Sequence, residues 1–306
     1  MDKKLLIGLI VIVAIGTAGI FYIISTGKFL EPDEGVVKNI TEVNQDYSVD
    51  TYEVIGKSVD GRDIRAFQFG TGEKTLVYIG AIHGGYEWNS ALLSYEIIDH
   101  LTANPDAVPS DLEVIVIPVA NPDGLNKVIG TSSRFFAEDA PQFDFADEIS
   151  LEDLVVLGRF NANDVDLNRN FDCKWQADAI WRDYTVNAGT EAFSEPESRA
   201  IRDYLARVSP KAVVFFHSVG NGVYTSFCEG DALEGTSDLL AIYSDATGYT
   251  RYDDYPYYEI TGDAADWLSI LGIPAITVEL SKRTAIEWEK NLAGIEAMLE
   301  FYSEVD

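Results

Sequence analysis

From residue 51 onward, apolar and polar positions fall into blocks of two kinds. Short apolar runs rich in β-branched residues read as strands: "TYEVIG" (51–56), "DIRAFQF" (63–69), "TLVYIG" (75–80), "EVIVIPV" (113–119), "AVVFF" (212–216) and "AITVE" (275–279). Longer amphipathic segments read as helices: "WNSALLSYEIIDHL" (88–101), "EPESRAIRDYLARV" (195–208) and "TAIEWEKNLAGIEAMLEFY" (284–302). Ser194 and Glu197 stand in capping-box spacing at the start of the second helix. Strands alternating with helices predict an α/β domain with a mostly parallel or mixed sheet, and runs such as "EVIVIPV" predict strands covered on both faces. The acidic stretch from Glu138 to Asp153, with Pro141 inside it, predicts an inserted surface loop.

Ahead of that domain the pattern changes. Leu5 to Ile24 is a charge-free run of about 20 residues, the length that spans about 30 Å of hydrocarbon as a helix. It is longer than the apolar core of about 7–15 residues in a cleaved signal peptide. Lys3 and Lys4 precede it, whereas Glu31, Asp33 and Glu34 follow beyond Lys28, so the positive-inside rule puts the rest of the chain outside the cytoplasm. The expected organisation is a cytoplasmic N-terminus (1–4), a single-pass signal anchor in the cell membrane (5–24), an acidic tether (25–50) and one extracytoplasmic catalytic domain (51–306). Secretion after signal cleavage is the alternative.

Charge and composition narrow the chemistry. A formal net charge of -29 speaks against a nucleic-acid partner, because phosphates would be repelled by most of the surface. Hydrophobic residues make up 47% of the chain, enough for a large folded core. Only three histidines are present, so a site with three imidazole ligands would need all of them. His100 ends a helix, where a histidine suits the helix dipole, which leaves His83 and His217.

In open α/β sheets ligands bind outside the carboxyl ends of the strands. His83 follows "TLVYIGAI", the turn "NPDG" (121–124) follows "EVIVIPVA", His217 follows "AVVFF", and Glu279 closes "AITVE". With Glu87 four positions after His83, the chain offers two imidazoles and a carboxylate, a set that leaves a coordination position open, as catalytic zinc requires. One Zn2+ held by His83, Glu87 and His217 is the expectation.

These residues also carry a resemblance. The chain is similar to zinc metallocarboxypeptidases of the carboxypeptidase A type, from "GKSVDGRDI" at residue 56 to "VELS" at 281. The matching blocks are His83 with Glu87, "NPDG", "RFNANDVDLNRNF" (159–171), "HS" (217–218), "YEITGDAADW" (258–267) and Glu279. The resemblance implies a mixed eight-stranded sheet between helices and hydrolysis of peptides at a free C-terminus. One departure is visible: the family spaces its first two ligands H-x-x-E, whereas "HGGYE" has one residue more. Gly84 and Gly85 can absorb it because glycine tolerates positive φ.

By the same resemblance, Asp166 would hold the His83 imidazole from behind. Asn168 and Arg169 would bind the terminal carboxylate, for which a guanidinium fork is suited. Arg159 would polarise the scissile carbonyl, with Arg134 a weaker candidate. Tyr258 would close on the substrate, and Glu279 would be the general base. Asp263 either places a carboxylate in the pocket for the end residue, favouring an amine-bearing side chain, or only caps a helix beginning near Ala264. Cys173 and Cys228 each follow a site block, and an extracytoplasmic location permits a bridge between them; two free thiols are the alternative. Two other functions fit parts of the pattern: a zinc deacylase of the aspartoacylase type, and a metal-free binding module on the same fold.

Overall fold

The apolar runs become the strands of one sheet. The computed structural model describes residues 52–140 and 149–304. The strands are β1 (Tyr52–Lys57), β2 (Asp63–Gly70), β3 (Lys74–Ile79), β4 (Leu112–Ile117), β5 (Asp178–Trp181), β6 (Tyr184–Asn187), β7 (Ala212–Ser218), β8 (Gly222–Thr225), β9 (Thr250–Tyr252) and β10 (Ala275–Leu280). The helices are α1 (Trp88–Ala103), α2 (Pro122–Ile129), α3 (Leu151–Val156), α4 (Pro196–Val208), α5 (Glu234–Thr247), α6 (Ala264–Ile270) and α7 (Trp288–Glu304). Eight strands form a mixed sheet in the order β1-β2-β4-β3-β7-β10-β8-β9, and β5 with β6 forms a separate hairpin. The anchor and tether expected in residues 1–50 lie outside the described residues. Among the described residues, no helix is long and apolar enough to cross a membrane.

β4, β3, β7 and β10 run parallel and adjacent at the centre. Their side chains alternate between two apolar layers. Leu76, Tyr78, Val214 and Phe216 pack with residues of α1, α5 and α7 on one face, whereas Val77, Ile79, Val213 and Phe215 pack with α4 and α6 on the other. Both faces are covered, which is why these strands are continuous apolar runs in the sequence. A third cluster sits beside the sheet, where Trp181 and Val186 of the hairpin meet Tyr86, Leu154 and Phe160.

Some expectations need correction. The N-cap of α4 is Glu195 with no side-chain cap, not Ser194, and Pro196 opens the helix. Ser194 Oγ instead donates to Glu195, while the buried Glu197 carboxylate takes the Val59 amide and the Asn161 side chain. Ser194 Oγ also accepts from Asn170 Nδ2, so long-range bonds have claimed both members of the capping box. The stretch from Glu138 to Asp153 is not all loop, since Ser150 and Asp153 form a true capping box that starts α3; residues 141–148 lie outside the described residues. "NPDG" is not merely a turn: Asn121 Oδ1 accepts the Gly124 amide and caps α2.

Candidate metal centre and substrate cavity

The four central strands deliver their polar residues to one edge. His83 lies in the loop after β3, Asn121 follows β4, and His217 and Glu279 stand at the ends of β7 and β10. The loop after β3 is held by α1: the Ala81 amide donates to Ser90 Oγ, which donates to the Glu87 carbonyl. A short 3-10 turn at Gly84–Glu87 takes up the extra residue between His83 and Glu87. It depends on Gly84, whose φ is +49° and whose position would set a Cβ 2.6 Å from the Gly158 carbonyl oxygen.

His83, Glu87 and His217 are all buried, and one ligand atom from each lies within 4.8 Å of the others. His217 Nδ1 is 3.0 Å from Glu87 Oε2, and His83 Nδ1 is 3.4 Å from Asp166 Oδ1. Neither approach has hydrogen-bond geometry, so His83 Nδ1 and Glu87 Oε2, like His217 Nε2, have no hydrogen-bond partner among the described residues. Buried polar atoms left without hydrogen bonds are costly, and a ligand atom from each of these three side chains stands close enough to the others to share one cation. Two nitrogens and a carboxylate oxygen suit zinc, so the donor set fits the implied metal. Burial, followed by the nearby Arg159 charge, pushes the His83 pKa well below its usual value. Its imidazole is therefore neutral near pH 7, the form that ligates metal.

Behind the trio, the fully buried Asp166 is shared. Its Oδ2 accepts from Arg159 Nε at 2.9 Å and lies 2.9 Å from Arg159 Nη2, while its Oδ1 faces His83 and accepts the Asn168 amide. Arg159 reaches to 3.9 Å from Glu87 Oε1 and lies over the rings of Tyr86 and Trp181. Arg134 is elsewhere, in a two-point pair with Asp99 on α1. Glu279 Oε2 accepts the Gly220 amide at 2.9 Å. Burial, then the charge of Glu87, raises the Glu279 pKa.

These residues open into a cavity of about 940 Å3. Arg169 lines it, buried, with its bonds going to the carbonyls of Asn168 and Ile180. Arg169 makes no salt bridge among the described residues. The Asn168 side chain is turned to the start of α6: it donates to Asp263 Oδ2 at 2.7 Å and accepts the Ala264 amide. Asp263 lines the cavity and also caps α6, its Oδ1 accepting the amides of Ala265 and Asp266. Both of its oxygens are therefore engaged. Tyr258 lines the cavity with its ring 5.0 Å from that of Tyr255. A disulfide joins Cys173 to Cys228 and ties the segment after Arg169 to the wall that carries Phe227.

The cavity residues not singled out from the sequence include Tyr86, Trp181, Asp266 and Arg283. Asp266 accepts the Phe227 amide on one oxygen, and burial, followed by the charge of Asp263, raises its pKa well above the ordinary range. Its place within "DAADW" was the available signal.

The fold is that of metallopeptidases of known structure. It superposes on a murein-tripeptide amidase from Escherichia coli O157 with a TM-score of 0.55 over 81% of this chain and 91% of that one, at 22% identity. The chain belongs to the zinc carboxypeptidase family, whose model matches residues 36–293 and whose members are peptidase hydrolases. Carboxypeptidase B of Astacus astacus is 27% identical over 238 residues, covering 70% of this chain and 73% of that protein. The bacteriocin BCN5 of Clostridium perfringens is 26% identical over 243 residues, and there the match takes in 76% of this chain but only 23% of the relative's length.

Proposed function

We propose that the protein is a zinc-dependent carboxypeptidase acting on peptides with a free C-terminus, including cell-wall stem peptides, through His83, Glu87 and His217 as ligands. The observation that carries this reading is the buried trio of His83, Glu87 and His217, whose ligand atoms lie within 4.8 Å of one another, set beside Arg169, a buried cation that makes no salt bridge among the described residues. A substrate carboxylate supplies the missing counter-charge. Similarity to a murein-tripeptide amidase supports the extension to cell-wall peptides.

Zinc in this site supplies a Lewis acid that polarises the scissile carbonyl and acidifies water. Glu279 takes the proton from the attacking water, favoured by its raised pKa, and passes it to the leaving amine. Arg159, fixed by Asp166, adds positive charge beside the carbonyl oxygen, and Arg169 orients the substrate end. Asp263 and Asp266 favour an amine-bearing end residue. The disulfide and the charge-free run at 5–24 support an extracytoplasmic, membrane-anchored location.

Zinc analysis of the purified protein, coupled to cleavage of one peptide as free acid and as C-terminal amide, tests the reading. One zinc per chain and hydrolysis of the acid alone are expected. Absence of zinc would favour a binding module. Release of an acyl group from an acylated amino acid, with peptides left intact, would favour a deacylase.

A further inference from the structure

Four residues beyond Glu279, Arg283 reaches back over the metal centre. Its Nη1 donates to the carbonyls of Tyr86 and Ser218, each at 3.2 Å, and its Nη2 donates to the Tyr86 hydroxyl at 2.7 Å. Its guanidinium lies 3.9 Å over the Tyr86 ring, whose surroundings also include Arg159 and Trp181. Tyr86 immediately precedes Glu87, and Ser218 immediately follows His217. One side chain thus grips the backbone next to two of the three ligands.

A second brace holds the same segment. Asn89, fully buried, donates through Nδ2 to the carbonyls of Lys282 (2.7 Å) and Ala285 (3.0 Å), and its Oδ1 accepts from Ser218 Oγ at 2.9 Å. The segment that follows the Glu279 strand is therefore docked on both ligand-bearing segments at once. The extra residue between His83 and Glu87 gives such a brace a task. A 3-10 turn with poor hydrogen-bond geometry and a glycine at φ +49° is a weak support for a ligand.

We propose that Arg283 is a positioning residue for the metal centre: by clamping Tyr86 and Ser218 it sets the spacing between Glu87 and His217. The guanidinium suits this task because its planar fork can serve two carbonyls and a hydroxyl while stacking on a ring, which a lysine ammonium cannot do. The proposal rests on the metallopeptidase reading above, but its readout is metal binding and not turnover.

The test uses the full chain with Zn2+ in competition with a chromophoric chelator, and with Co2+, whose visible absorption reports ligand geometry. Arg283→Ala should lower zinc affinity by about 10–100-fold, as loss of an outer support typically does, and change the cobalt spectrum. Arg283→Lys should fall between wild type and alanine, and Tyr86→Phe, which loses only the hydroxyl, should show a smaller effect. Wild-type affinity and an unchanged spectrum in Arg283→Ala overturn the proposal, as does a raised KM with metal binding intact, which would make Arg283 a substrate contact. Should the alanine variant fail to fold, the lysine variant decides by the same two readouts. Wild-type protein that binds zinc but cleaves no peptide sinks the peptidase reading and leaves this one standing, whereas wild-type protein that binds no zinc sinks both.

Discussion

Glu279 and His217 are register partners in the parallel pair of β10 and β7. Because side chains alternate along a strand, partners leave the same face of the sheet. The proposed base and a proposed metal ligand are therefore spaced by a backbone ladder, not by loops that shift independently. Rigid placement of this kind is what proton transfer at a fixed distance requires.

If Glu279 is the base, Glu279→Gln should keep zinc and lower kcat by at least about a hundredfold. The amide can still accept the Gly220 amide, so the strand end stays in place. Metal analysis and steady-state kinetics on the same preparation check this, and an unimpaired variant would transfer the role to another group.

Arg169 should act through binding. A contact with the substrate carboxylate would exist in ground and transition states alike, so Arg169→Ala should raise KM more than it lowers kcat. The gap between acid and amide substrates should shrink in the variant. A variant that still discriminates as wild type does would remove Arg169 from the carboxylate site.

End-residue preference should follow Asp266 more than Asp263. Asp263 is engaged as a cap and as the acceptor of Asn168, so its removal disturbs α6, a loss on the order of 1 kcal/mol. Asp266→Asn keeps an acceptor for the Phe227 amide and removes the carboxyl that a cationic end residue would hold ionised. Release of C-terminal Lys relative to Phe should fall about tenfold or more in this variant, the scale of one charge contact. An unchanged ratio, or a wild type that prefers Phe, would end the cationic-substrate reading.

Glu197 should make stability pH-dependent. Burial pushes its pKa from 4.5 up to about 7. A carboxyl whose folded pKa is raised contributes fully below the unfolded value and loses that contribution as pH rises through the folded one. Stability should therefore decline between about pH 4.5 and 7, at up to about 1.4 kcal/mol per pH unit for one proton. Denaturant midpoints at several pH values should lose this slope in Glu197→Gln, and parallel curves would refute the assignment.

The central strands were legible because they are covered on both faces, which writes an uninterrupted apolar run such as "AVVFF". β8 and β9, at 4 and 3 residues, rely on stacked rings such as Tyr224 on Tyr252, and such short pieces leave no periodic trace. α5 begins with "EGTSD", a stretch whose composition reads as loop. In the site, residues at strand ends could be located from sequence order alone. Arg283 could not, since its importance comes from folding back across Tyr86, a long-range contact that no local spacing encodes.

The bond between Cys173 and Cys228 closes a loop that contains the β5–β6 hairpin, α4 and the His217 strand. A protease that nicks the exposed hairpin turn near Arg182 would yield two chains by sequence but one molecule by covalent connection. The strand that carries His217 would stay tethered beside Arg169 after such a cut. An enzyme built this way can be clipped at the rim of its own cavity without losing the strand that carries His217, and the clip would become visible only on reduction.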